Sequence, residues 1–324
     1  MRACFIGGTG RCGTSILKKI LSQHSKVMSI PIESRLATDP DGVFDFYRNY
    51  STGWSPYYAD QKITRLITFL NSLGSTSSAH WFSHYFLKVI GYLGIPITSK
   101  QYLDIQLNKY IPNYYSIIND LINNLIEFKY SGVRLGSPSY TINNELLYAS
   151  AYSKVELKKI FQEFFENLLN DFRQDKNKEL YVDDNTWNIL FSSDIIDLIP
   201  SAKIISVIRD PRDVVSSLSR QSWMPMEKQK TAKIYNDLIN EWVQIRYNLK
   251  ANSWIEIKLE DLVKNPNDEL IKICDFVNLP FEKKLLKIDL SNSNIGRWES
   301  DFTSDEKDKI LPLLEKNMNL LGYE

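Results

Sequence analysis

Cysteine is scarce, and what there is does not pair: Cys4, Cys12 and Cys274 form an odd, scattered set with neither disulfide nor metal-ligand spacing. No disulfide scaffold and no metal centre is expected. A net charge is also missing, because 39 Lys and Arg offset 39 Asp and Glu. With no basic excess to draw the chain to nucleic acid or an anionic membrane, any anion site must be local. No run of about eighteen apolar residues is present, and no charged n-region and apolar h-region precede the first strand pattern. These absences point to a soluble, cytoplasmic protein with no membrane and no nucleic-acid partner. Against them stand 324 residues, 43% of them hydrophobic, enough for a full core.

The most telling absence is a lysine. Ala3 to Ile6 is a short apolar run that ends in Gly7-Gly-Thr-Gly-Arg-Cys-Gly-Thr-Ser15, and Ser15 to Leu21 then has helical apolar spacing. Strand, glycine-rich loop and helix in this order turn backbone N–H groups and a helix dipole onto one point, a cradle for phosphate. Gly8 and Gly13 have the spacing of the nucleotide-triphosphatase loop, yet Thr14 stands where its Lys is expected. That Lys serves the β/γ-phosphates and the next hydroxyl holds magnesium, so the loop suits an anion that needs no such clamp. Arg11 is the cation the loop supplies. Cys12 fits as a small residue in a tight turn, with a reactive thiol as the rival reading.

Lys26 to Ile30 reads as a second strand that closes a β-α-β unit and runs into Pro31-Ile-Glu-Ser-Arg35 at the carboxyl edge of the sheet, where open α/β sheets bind ligands. From Asp39 to about Leu168 the pattern turns helical, over Ile63–Leu73, Trp81–Leu93, Tyr114–Phe128 and Val155–Leu169, with no strand pattern. Strands resume at Glu179–Asp184, Ala202–Ile208 and Ser253–Leu259, alternating with helices at Ile195–Leu198 and Asp268–Val277. Thr303-Ser-Asp-Glu306 is a capping box that opens the last helix. The expected fold is α/β, a three-layer P-loop-like arrangement of a central parallel sheet flanked by helices. One domain spans 1–324, with a helical insertion at about 40–170 that covers the substrate.

Ile204 to Ile208 runs into Arg209-Asp-Pro-Arg-Asp213, with Pro211 suited to a first helical turn and Ser217 two turns beyond Arg209, placed to share an anion with it. A second anion site beside the first would suit a nucleotide phosphorylated at two places. Two rival readings make Arg209 and Asp213 a structural ion pair, or make Asp210 the magnesium ligand of a Walker B strand.

Phe5-Ile-Gly-Gly-Thr-Gly-Arg-Cys-Gly-Thr-Ser15 resembles the 5′-phosphosulfate loop of sulfotransferases that use 3′-phosphoadenosine 5′-phosphosulfate (PAPS). Ile204-Ile-Ser-Val-Ile-Arg-Asp-Pro-Arg-Asp-Val-Val-Ser-Ser217 resembles their 3′-phosphate motif, and Glu256 to Leu262, Asn265-Pro266 and Ile295-Gly-Arg-Trp298 are similar to their C-terminal segments. The likeness covers 1–38 and about 179–318, closest to the tyrosylprotein and bacterial branches. It implies that Gly10, Arg11, Cys12, Gly13, Thr14 and Ser15 hold the 5′-phosphosulfate, that Arg209 and Ser217 hold the 3′-phosphate, and that Arg297 and Trp298 also contact PAPS. It further implies a metal-independent, in-line transfer of a sulfuryl group to a hydroxyl or amine of a small molecule or saccharide. Glu33, in Glu33-Ser34-Arg35, is then the general base and Arg11 the catalytic cation. An ion-paired Glu33 beside Arg35 is the plainer alternative.

Two departures stand out. Asp183-Asp-Asn-Thr-Trp-Asn188 occupies the stretch where many relatives carry a Lys, and Leu259 replaces a Tyr near the adenine, leaving Trp298 as a stacking candidate. His80 and His84 offer a rival base on one helix face, and the aromatic stretch around them, with Tyr57 and Tyr58, lines either an acceptor pocket or a core. His24 ends the loop helix, and Arg134 has no assigned role. Two further readings remain: a P-loop kinase or nucleotide triphosphatase without the Walker Lys, and a non-catalytic nucleotide-binding protein.

Overall fold

In the computed structural model, residues 1–74, 86, 102, 105–135, 144–172, 177–290 and 293–323 are described. The central element is β1 (Arg2–Gly8), buried along nearly its whole length because its residues are apolar on both faces. The loop that follows delivers the chain to α1 (Thr14–Leu21), and β2 (Val27–Met28) is shorter than the periodicity suggested. Further strands β5 (Leu180–Asp184), β6 (Lys203–Ile208) and β7 (Trp254–Lys258) complete a five-stranded sheet in the order β2-β5-β1-β6-β7. All its pairings are parallel, Ile6 lying opposite both Asp184 and Ile205.

This sheet belongs to one of two compact units, made of Met1–Ser29 and Lys176–Glu324. Its helices are α6 (Ser192–Leu198), α7 (Pro211–Leu218), α8 (Lys228–Tyr247), α9 (Leu259–Lys264), α10 (Pro266–Phe276), α11 (Trp298–Asp301) and α12 (Ser304–Leu321). One face of the sheet buries Leu17, Ile20 and Leu21 of α1 with Leu270 and Ile273 of α10, and the other packs Val214 and Leu218 of α7 against Tyr235 of α8 and Leu314 of α12. That is the expected three-layer α/β fold. The capping box at Thr303 is present as read, with reciprocal bonds to Glu306. Helix α8 carries no assignment in the sequence reading. Its buried residues Thr231, Ala232, Tyr235, Ile239 and Trp242 follow helical spacing, but they are a narrow stripe in a largely polar segment.

The second unit, Ile30–Asp175, holds α2 (Val43–Asn49), α3 (Pro56–Ser72), α4 (Tyr114–Leu125) and α5 (Lys154–Phe172) around an aromatic core. Phe46 stacks on Tyr50 at 4.8 Å and meets Phe161 at 5.7 Å. The expectation that this region has no strand is corrected by an antiparallel hairpin, β3 (Phe128–Gly132) with β4 (Asn144–Tyr148). Helix α4 accordingly stops at Leu125 rather than Phe128. Phe128 stacks on Tyr148 at 4.4 Å, a cross-strand aromatic pair that stabilises an otherwise exposed β3. The segment Trp81–Leu93, with His80 and His84, lies outside the described residues apart from Phe86. No helix among the described residues is long and apolar enough to cross a membrane.

Candidate active site

The glycine-rich loop is shaped by its own interior. A Cβ on Gly8 would lie 2.2 Å from Cys12 Sγ and 2.6 Å from the Val207 carbonyl oxygen, so only glycine fits there. Cys12 is fully buried and belongs to the core that contains Leu17 and Val207. Its thiol is pushed up by that burial, although the Thr9, Gly10, Cys12 and Thr14 N–H groups of the loop face its sulfur and pull the other way. Gly13 has φ 101°, and a Cβ there would lie 2.8 Å from Leu259 Cδ1. Leu259, the residue standing in for a family Tyr, is buried against the underside of this turn. A helix start leaves its first N–H groups without intrahelical partners, and here the Thr14 N–H faces the Cys12 sulfur. Thr14 is buried and Ser15 exposed at that helix start.

Arg11 is exposed and holds a left-handed backbone, φ 56°, which a non-glycine residue adopts only at a cost of about 1 kcal/mol or more. The conformation carries its side chain across to α7, where Nε donates to Ser217 Oγ at 3.1 Å. Arg209, at the carboxyl end of β6, donates from Nη1 to the Arg11 carbonyl at 3.2 Å. Its Nη2 donates to the Asn294 carbonyl and lies 3.3 Å from Asp213. Arg209 is 7% exposed, and its Nε has no partner among the described residues although it is fully shielded from solvent. An unspent buried guanidinium N–H is costly unless something arrives to accept from it. Arg11 is thus bonded to both Ser217 and Arg209, and the Arg209–Asp213 ion pair exists as well.

Asp210 does not suit the magnesium role. Its carboxylate caps α7 through the Arg212 N–H at 2.8 Å and grips the Arg212 guanidinium at 2.7 to 3.1 Å, so both oxygens are taken. Glu260 secures the same corner by accepting from the Asp210 N–H at 2.9 Å and from the Tyr323 hydroxyl at 2.8 Å. Trp298 lies under the Arg212 guanidinium, 4.4 Å from its ring centroid, with Lys307 5.6 Å away. Arg297 is exposed and 3.4 Å from Asp301.

At the edge of β5, the stretch without the family Lys has a cation that the sequence reading missed. Lys18 of α1 is buried and ion-paired with Asp184. Next to it, Asn185 Oδ1 accepts from the Trp187 N–H at 2.9 Å, whereas its Nδ2 is buried and without a partner among the described residues. Thr186 Cγ2 and the Trp223 ring approach Gly10, 3.5 Å and 3.6 Å from where its Cβ would stand. Trp223 is 53% exposed, an aromatic at the lip of the loop. Helical spacing flags Lys18 four residues after Thr14, but nothing in a linear reading signals Trp223.

In the other unit, Glu33 lies 3.4 Å from Arg35, which also pairs with the buried Asp39 at 2.8 Å, and Asp39 accepts from the Tyr102 hydroxyl at 2.8 Å. Arg134 is held bidentate by Asp60, at 2.7 and 3.0 Å, as a structural tie to β4. Tyr58 gives its hydroxyl to the Asn49 carbonyl at 3.2 Å, and Tyr57 is exposed. His24 is buried beyond the end of α1, its Nε2 2.8 Å from the Pro280 carbonyl oxygen.

A family model described as the sulfotransferase family matches residues 122–283, half of the chain. A Caenorhabditis elegans protein provisionally named a protein-tyrosine sulfotransferase is 26% identical over 163 residues, 45% of this chain and 61% of its own. The chain therefore spans about three-fifths of that relative's length. Among solved structures, the sulfotransferase domain of the curacin biosynthetic pathway aligns over 100% of this chain and 98% of its own, with TM-score 0.47 and 15% identity. That of the Synechococcus PCC 7002 olefin synthase aligns over 100% and 94%, with TM-score 0.48 and 14% identity.

Proposed function

The chain belongs to the sulfotransferase family, and from that premise we propose that it moves a sulfuryl group from PAPS to a hydroxyl or amine of a small-molecule or saccharide acceptor. One observation carries the choice of donor. Arg11 is hydrogen-bonded to Ser217 through its side chain and to Arg209 through its carbonyl, and the buried Arg209 Nε lacks an acceptor among the described residues. Two anion sites that share a wall fit a nucleotide with phosphates at 5′ and 3′. Bound there, PAPS supplies an activated sulfuryl group whose bond to the 5′-phosphate breaks as the acceptor–sulfur bond forms. The loop amides and Arg11 stabilise the charge that collects on the 5′-phosphate, a job for preorganised donors that need no metal. Arg209 and Ser217 hold the 3′-phosphate and so set the register of the nucleotide. Glu33, by its place in the Glu-Ser-Arg motif, takes the acceptor proton. Asp210, spent on Arg212, argues against the kinase alternative.

Thermal melting tests the donor. Adenosine 3′,5′-bisphosphate in EDTA should raise the Tm and ATP with magnesium should not; the opposite pattern sinks the proposal. Glu33→Gln should keep nucleotide binding while labelled sulfate transfer falls by about a hundredfold or more, the size of a lost general base. Normal turnover in that variant would remove Glu33 from the role.

A further inference from the structure

Asp213 and Ser216 on one face of α7, with Arg220 just beyond the end of that helix, hold a single segment, 294–301. Asp213 is 1% exposed, and its two oxygens are divided between that segment and Arg209. Oδ2 accepts from the Gly296 N–H at 2.8 Å and lies 3.3 Å from Arg209 Nη2, while Oδ1 accepts from the Trp298 N–H at 3.0 Å. Ser216 and Arg220 both reach Asp301. Arg212, held by Asp210, covers the Trp298 ring. Arg209 in turn donates to Asn294, at the start of the same segment. One buried carboxylate therefore joins the arginine to the loop beside it.

We propose that Asp213 is a positioning residue for the 3′-phosphate end of the site: without touching the nucleotide, it fixes Arg209 and segment 294–298 in one arrangement, and discrimination for a 3′-phosphate depends on it. This rests on the donor reading above. The chemistry requires an acceptor-only group at this position. An Asn would turn an N–H₂ toward the Gly296 or Trp298 N–H, so one loop amide would face a donor and Arg209 would lose its counter-charge. A guanidinium released from that frame still carries charge but no longer a fixed direction, so it attracts anions in general rather than a phosphate at one place.

The test compares adenosine 3′,5′-bisphosphate with adenosine 5′-monophosphate by titration calorimetry on the full chain and on Asp213→Asn and Asp213→Glu. The unmutated chain should prefer the bisphosphate. In Asp213→Asn that preference should fall by about tenfold or more, the equivalent of one lost charged hydrogen bond, with monophosphate affinity nearly unchanged. Asp213→Glu should restore part of it. A purely structural Asp213 would weaken both ligands in parallel and leave their ratio intact, and that result overturns the inference while the donor reading stands. No preference in the unmutated chain overturns the donor reading and the inference with it. Should Asp213→Asn fail to fold, hydrogen exchange on the unmutated chain decides: the bisphosphate and not the monophosphate should slow exchange in peptides covering 294–301, and equal effects refute the inference.

Discussion

Burial decides what the three cysteines can do. Cys274 is pushed up to about 11 by desolvation, and Cys4 and Cys12 are raised by the same cause. A raised thiol pKa leaves less thiolate at pH 8, so a thiol reagent should find almost no fast-reacting group in the folded chain and three after denaturation. A rapid, nucleotide-protected thiol would show that the Cys12 sulfur is open to solvent rather than enclosed by the loop. Here the sequence was a good guide, because a small residue between tight turns has one cheap place to go. Trp223 is the opposite case. Its approach to Gly10 depends on how the chain leaves α7, which no local pattern encodes. Binding of adenosine 3′,5′-bisphosphate should alter tryptophan emission, and Trp223→Phe should abolish most of that change; an unchanged response would place Trp223 away from the nucleotide.

At the level of elements, α1 is joined to the sheet by more than its apolar stripe. The buried Lys18–Asp184 pair ties the helix that follows the cradle to the carboxyl end of β5. Removing one member strands a charge, so Lys18→Met should lower stability by about 3–5 kcal/mol in urea unfolding, and pairing it with Asp184→Leu should recover much of the loss. If the single variant costs nothing, the pair is not buried as described. The strands β1, β5 and β6 were legible because apolar residues on both faces leave no alternative environment for them. Hairpin β3–β4 was not. Its outward face is exposed, and residues 133–143 separate its strands, so neither a buried alternation nor a short turn announces it. Arg11, Ser217 and Arg209 were readable as parts of two motifs. The carboxylate of Asp213, which the spacing offers only as a structural ion pair with Arg209, also holds the loop beside that arginine.

For the whole molecule, the residues proposed to hold the donor fall in the unit made of Met1–Ser29 and Lys176–Glu324, whereas Glu33 falls in Ile30–Asp175. Replacing 30–175 by a flexible linker of about fifteen residues, long enough for a parallel crossover, should leave a chain that melts cooperatively and is still stabilised by adenosine 3′,5′-bisphosphate. Sulfate transfer should vanish with Glu33. Loss of the nucleotide response in a folded product would mean that the second unit supplies donor contacts. The same topology bears on how the protein is made. Strand β1 lies in the middle of the sheet, yet Arg2 pairs with Leu180 and Cys4 with Lys203. At ribosomal speed the intervening chain takes about 10 to 40 seconds to appear, and until then an apolar strand has neither neighbour. The central strand is thus the most exposed to wrong partners during synthesis, so the yield of active protein should depend on chaperones more than the finished fold suggests.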